Sequence, residues 1–229
     1  MERFWEIDFV RGIGILLMLV SNFVTDLQFF YGYSNYETFW WVFARATATI
    51  FLLIAGISLT ISYSKNNSFA KHFKRGLYIF GLGLIITLVT WFFIPQNFVR
   101  FGILHLIGIS IILSFILLKF DKKIALIVGI FAILIGFLIK NVNSATNYFS
   151  WLGLTTNTFS AVDYFPIFPW FGVVLIGIFL GKLFYPNGKR RFELKGFKQM
   201  KLVSWIGRHS LIIYFVHQPV ILVLLSLIL

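Results

Sequence analysis

Apolar runs of about 20 residues, the length that crosses a bilayer core as a helix, recur along this chain, and nothing else in it restricts the fold so strongly. We place seven of them, over residues 12 to 31, 39 to 63, 76 to 94, 99 to 118, 123 to 140, 164 to 185 and 203 to 228. In lipid every backbone N–H and C=O must be satisfied internally, so such runs fold as helices. The expected fold is all-α: one polytopic membrane helix bundle over residues 1 to 229, multi-pass in the cell membrane. A soluble fold would need more polar surface than the 12% of charged residues supply, and 29 Phe with 7 Trp exceed what one core would bury. The absence of cysteine excludes a disulfide, a thiolate metal site and a cysteine nucleophile. Glu2, Glu6 and Asp8 precede the first run and no small-residue cleavage site follows it, so a cleavable signal is not expected.

The formal charge of +12 is explained by position rather than by a nucleic-acid partner. Seventeen of the 20 Lys and Arg fall before the first span or in alternate connections. The opposite connections hold only Arg100 and Lys140, and Arg45 lies within the second span. The positive-inside rule then puts the N-terminus in the cytoplasm and the C-terminus outside. The stretch GKRRFELKGFKQMK, residues 188 to 201, is more basic than topology requires and suits anionic lipid headgroups or the phosphates of a nucleotide-containing cofactor. The outer connection, about 141 to 163, carries Tyr148, Phe149 and Trp151 and is expected to fold back on the membrane surface.

Polar residues within spans are costly, and each marks a candidate site. They are Asn22 and Asp26 in the first span, Arg45 in the second, His105 in the fourth, Asp163 at the mouth of the sixth, and His217 with Gln218 in the seventh. Positions 11, 14 or 15, 18, 22 and 26 fall on one helical stripe, so Arg11, Asn22 and Asp26 share a face, with roughly 16 Å between the first two. Counted from the outer ends of their spans, Arg45 and His105 lie about 9 Å deep, near the level of Asp26. Two readings stay open. Asp26 and Arg45 form a buried ion pair and His105 is a hydrogen-bonded core residue, or the three line a polar chamber suited to proton transfer. Pro219 is expected to free the carbonyl of Phe215 and to bend the last helix beside His217, while Asp163 is expected to cap the sixth span, which Pro166 and Pro169 shape. There is no phosphate loop, no HExxH, no GxSxG and no paired metal-ligand spacing, so no metal is expected.

Four stretches in this order, EIDFVRGIGILLMLVSNFVTD, RFGILHLIGISIIL, DYFPIFPWFGVVLIGIFLGKLFY and WIGRHSLIIYFVHQP, resemble the heparan-alpha-glucosaminide N-acetyltransferase catalytic-domain family, in its small prokaryotic members, over nearly the whole chain. The wider group includes the acyltransferase-3 membrane enzymes, which carry an arginine and a histidine eleven residues apart in their first helix. The resemblance implies transfer of an acyl group, commonly acetyl, from cytoplasmic acetyl-CoA to a sugar or glycoconjugate acceptor across the membrane. It implies acyl-CoA, that acceptor and membrane lipid as partners, no nucleic acid, and leaves homo-oligomers open.

Arg11, Lys189, Arg190, Arg191 and Arg208 would then hold the CoA phosphates, with His217 along the donor's path. Asn22 stands eleven residues after Arg11, where the lysosomal heparan enzyme has a functional asparagine; that enzyme's catalytic histidine, a further eleven on, is replaced by Tyr33. The replacement candidates for general base are His105 and Asp26, with Asn22 donating to the thioester carbonyl and Arg45 orienting Asp26 or stabilising the oxyanion. A transporter or flippase using the same polar layer, or a non-catalytic membrane subunit, are the competing classes.

Overall fold

The computed structural model describes residues 4–194 and 200–228, the last by its backbone alone. It is all helical: α1 (Trp5–Tyr31), α2 (Glu37–Lys65), α3 (Phe69–Phe93), α4 (Ile103–Leu118), α5 (Lys122–Ile139), α6 (Ile167–Phe184), α7 (Met200–Arg208) and α8 (Ser210–Ile228), with one 3₁₀ turn, Pro186–Gly188. Six of these helices are long and apolar enough to cross a membrane, and the protein is a polytopic helical membrane protein.

The expected spans differ from the helices in four places, one of them α3, which begins at Phe69 rather than at residue 76. α1 begins at Trp5 rather than at residue 12, because its polar first turns pack on α7 and Arg11 pairs with Asp8, 3.3 Å away. The fourth run starts late: Phe101 bridges to Tyr164 in extended backbone, leaving α4 with 16 residues, roughly 24 Å, shorter than the six long apolar helices. The seventh run divides at His209 into a short α7 and a long α8.

The chain forms two compact units, Met1–Ile54 with Glu193–Leu229, and Ala55–Phe192. In lipid the apolar surface of a helix gains nothing by leaving solvent, so association depends on close approach over small residues. In the first unit that approach joins α1 to α7. A Cβ at Gly12 would collide with the carbonyl of Val203, and one at Gly207 with the carbonyl of Asp8. Ser204 Oγ adds a bond to the carbonyl of Trp5 at 3.4 Å. Gly14 meets the Phe51 ring of α2.

The second unit repeats the device. Gly76 of α3 lies on Gly108 of α4, Gly129 of α5 faces Gly172 of α6, and Gly56 of α2 meets the backbone of Val174 and Gly177 in α6. The connection between α5 and α6 is tied to the rest of this unit. The backbone N–H of Ile167 bonds the Trp151 carbonyl at 2.8 Å, that of Val162 the Asn97 carbonyl at 2.9 Å, and the Tyr164 hydroxyl donates to the Ser150 carbonyl at 2.7 Å. Lys182 of α6 reaches the carbonyls of Leu117, Leu118 and Phe120, placing a cation at the negative end of α4.

Candidate active site

Helical periodicity in α1 puts the polar stripe on its packed face. Gly14, Ile15, Met18 and Asp26 are buried, and Asn22 is half-buried between them. The partners come from two successive residues of α8. Asn22 Nδ2 lies 2.7 Å from His217 Nε2, and one turn further on Gln218 Nε2 donates to both Asp26 oxygens, at 2.8 and 3.0 Å. His217 and Asp26 are 9% and 6% exposed.

The other ring nitrogen decides the tautomer. His217 Nδ1 lies within hydrogen-bond distance of the Tyr214 carbonyl. A carbonyl only accepts, so Nδ1 carries the proton and Nε2 of the neutral ring presents a lone pair. The Asn22 amide therefore donates to Nε2. An imidazole lone pair and an amide donor thus meet at one point, the pairing that general-base catalysis with oxyanion stabilisation requires. α8 continues as a helix through Pro219, directly after this pair.

Asp26 and Arg45 do not form the ion pair considered from the sequence. Asp26 takes Gln218 instead, and the Arg45 guanidinium lies 3.8 Å from the centroid of the Trp41 ring, one turn earlier in its own helix.

His105 belongs to the second unit and has a closed set of partners. The Gly102 N–H donates to its Nδ1 at 3.2 Å, so Nε2 holds the proton and faces Thr87 Oγ1 at 3.3 Å. Thr87 in turn donates to the Val99 carbonyl at 2.7 Å. The ring stacks on Phe101, stands edge-on to Phe80, and is 2% exposed. These bonds make it the fastening of the α4 N-terminus. Asp163 serves the same helix: its Oδ2 accepts the Ile103 N–H at 3.2 Å, whereas Pro166 occupies the N-cap of α6, so the cap expected there belongs to α4.

The basic candidates are spread along the chain. Arg11 is part-buried beside Asp8, Lys189 and Arg191 are exposed just after the 3₁₀ turn, and Arg208 is exposed at the end of α7. Lys195 and Lys198 lie outside the described residues. Tyr33 follows Gly32, a left-handed C-cap with φ of 69°, and so stands beyond α1 rather than on its polar stripe. Among the described residues no three His, Cys, Asp or Glu side chains converge as a metal would need.

The sequence singled out Asn22, Asp26, His217 and Gln218 but did not pair them, and it gave Gln218 no role. The available signal was their matching order: two polar positions one turn apart in the first helix, and two adjacent polar residues before Pro219 in the last.

No curated protein and no solved structure matches the chain. The model of the family described as heparan-alpha-glucosaminide N-acetyltransferase, catalytic, matches residues 3–219 of the 229, and the chain belongs to that family.

Proposed function

We propose that the protein moves an acetyl group from cytoplasmic acetyl-CoA to an extracytoplasmic sugar or glycoconjugate acceptor, with chemistry at the Asn22–His217 pair. Family membership supports a transmembrane acetyltransferase. The observation that carries the residue assignment is the 2.7 Å contact between Asn22 Nδ2 and His217 Nε2, with the His217 tautomer held by Tyr214. The N-terminus is cytoplasmic in this proposal, as the basic connections suggest.

In the reaction, an acceptor amine or hydroxyl enters beside His217 and displaces the Asn22 amide from Nε2. Nε2 takes the acceptor's proton as the nucleophile attacks the thioester carbonyl carbon. The carbonyl oxygen becomes an oxyanion and accepts a hydrogen bond from Asn22 Nδ2. The intermediate collapses with loss of the CoA thiolate, which recovers the proton from His217. Asp26, held by Gln218 one turn further out, orients the acceptor. His105 and Arg45 take no part in the step. Arg11 and the basic residues Lys189, Arg190, Arg191 and Arg208 attract the donor's phosphates.

The test is release of CoA thiol from acetyl-CoA by protein reconstituted in vesicles, with a panel of sugars and amino sugars as acceptors and the acetylated product identified by mass. Turnover that requires both Asn22 and His217 supports the assignment. Full turnover in Asn22→Ala and His217→Ala moves the chemistry elsewhere.

A further inference from the structure

No Asp or Glu stands anywhere between Glu37 and Asp121, a stretch that holds nearly all of α2 and the whole of α3 and α4. Within it the positive charge is densest at Lys71, Lys74 and Arg75, in the first two turns of α3, and all three residues are exposed. The positive end of the α3 dipole lies there too, so the helix itself offsets none of this charge. The start of α5 is the contrast: Lys122 and Lys123 stand beside Asp121, which caps the helix by accepting the Lys123 N–H at 2.8 Å.

Positions 71, 74 and 75 are neighbours on one helix face, and that face continues along α3. Tyr78 follows one turn later, 62% exposed, and then come Gly81, Ile85, Leu88 and Val89. The opposite face is the packed one, where His72, Gly76 and Gly83 are buried and both glycines meet α4. A Cβ at Gly81 would meet no atom within 4 Å, so the outward stripe is indented between Tyr78 and Ile85. Only 17% of the apolar stretch of α3 is buried in the protein, and the rest meets the bilayer. One leaflet of the hydrocarbon core is about 15 Å deep, or about ten residues of helix, which is the distance from Tyr78 to Leu88.

We infer that this face of α3 is a binding site for an anionic glycerophospholipid. The basic end and the indented apolar stripe match the two parts of one such molecule. Its headgroup lies beside Lys71, Lys74 and Arg75, and an acyl chain lies along Gly81 and Ile85. Tyr78, with an apolar ring and a polar tip, stands where the two parts meet. Charge selects the occupant: ammonium and guanidinium groups make charge-assisted hydrogen bonds to a phosphodiester, whereas a zwitterionic lipid brings a cation of its own to the same place. None of these residues belongs to the Asn22–His217 centre or to the basic set assigned to the acyl donor, so the inference does not depend on acetyl transfer.

The experiment titrates phosphatidylglycerol and, separately, phosphatidylcholine into full-length protein in neutral detergent and reads retained lipid by native mass spectrometry. Lys71→Gln with Lys74→Gln removes two charges from the site. Lys122→Gln with Lys123→Gln removes two at the start of α5 and is the matched control. Gly81→Leu fills the indentation. The expected result is a loss of about tenfold or more in phosphatidylglycerol affinity for the first pair, since each basic side chain near a membrane surface adds several-fold. The second pair should change little, Gly81→Leu should lose less than the first pair, and phosphatidylcholine should be held weakly throughout. Equal losses in the two lysine pairs would reduce the effect to the general charge of the basic connections, and equal retention of the two lipids would reduce it to an apolar coat; either overturns the proposal. Unchanged affinity in Gly81→Leu removes the acyl chain from this stripe and overturns the site as well.

Discussion

The Tyr214 carbonyl accepts the Nδ1–H of His217 and thereby turns the ring's lone pair toward Asn22. The two residues have different roles in transfer, and their substitutions differ in size. His217→Ala removes the proton acceptor and is expected to lower the rate of acetyl transfer by roughly 10² to 10⁴-fold. Asn22→Ala removes an oxyanion donor and is expected to cost roughly 10² to 10³-fold. The double variant should be little worse than His217→Ala, since both act in one step. Single-turnover CoA release measures all three.

His105 is expected to matter for folding and not for the chemical step. His105→Ala leaves the Gly102 N–H without its imidazole partner, at about 1–3 kcal/mol where it stays unsatisfied, and leaves the Thr87 hydroxyl only its bond to the Val99 carbonyl. Thermal unfolding in detergent should fall by several degrees, while the folded fraction keeps its turnover per molecule. A stable His105→Ala protein without activity would return this residue to the catalytic centre.

Gln218 holds Asp26 through both carboxylate oxygens. Gln218→Glu would replace the donor to Asp26 by a second carboxylate and set two acceptors against each other. The expected outcome is weaker acceptor binding, read as a higher KM for acceptor, with a smaller change in the KM for acetyl-CoA.

Gly207 has no room for a side chain beside the Asp8 carbonyl. Gly207→Leu forces α7 off α1 and is expected to destabilise the first unit by about 1–3 kcal/mol, the usual range for overpacking. The reading is the unfolding midpoint in detergent. Gly81→Leu, where a Cβ meets open space, is the matched control.

Burial pushes the Tyr164 phenol up to about 12. A phenol raised in this way contributes stability that is complete below pH 10, its ordinary value, and is lost as the pH climbs through 12. Its bond to the Ser150 carbonyl should therefore hold the connection between α5 and α6 in place through the whole physiological range. In an ultraviolet titration, Tyr164→Phe should remove a phenol that ionises above the ordinary tyrosine range.

The helical class of this protein was legible because a bilayer leaves the backbone few alternatives, and the stripe on α1 was legible because 3.6-residue periodicity needs no knowledge of the partner. Pairing was not legible. Asn22 finds His217 across 195 positions and Asp26 finds Gln218 across 192, and nothing local to α1 encodes that choice. The sequence placed Arg45 near Asp26 by depth alone; depth carries no information about direction around the helix, and the guanidinium found Trp41 within its own helix. The sequence leaves His105 open between a hydrogen-bonded core residue and a base, because the bonds that decide it run to the backbone at Gly102 and, through Thr87, at Val99. The division of the last run at His209 did leave a trace in Gly207, whose missing side chain is needed by α7 against α1.

The separation between those partners also sets an order of events during synthesis. At roughly 5–20 residues per second, α8 leaves the ribosome on the order of ten to forty seconds after α1. Through that interval the first helix carries an amide and a carboxylate whose eventual partners have not been made. The nascent chain therefore holds its costliest polar groups open longest, and completion of the final helix assembles the proposed catalytic pair and relieves the first helix in the same event.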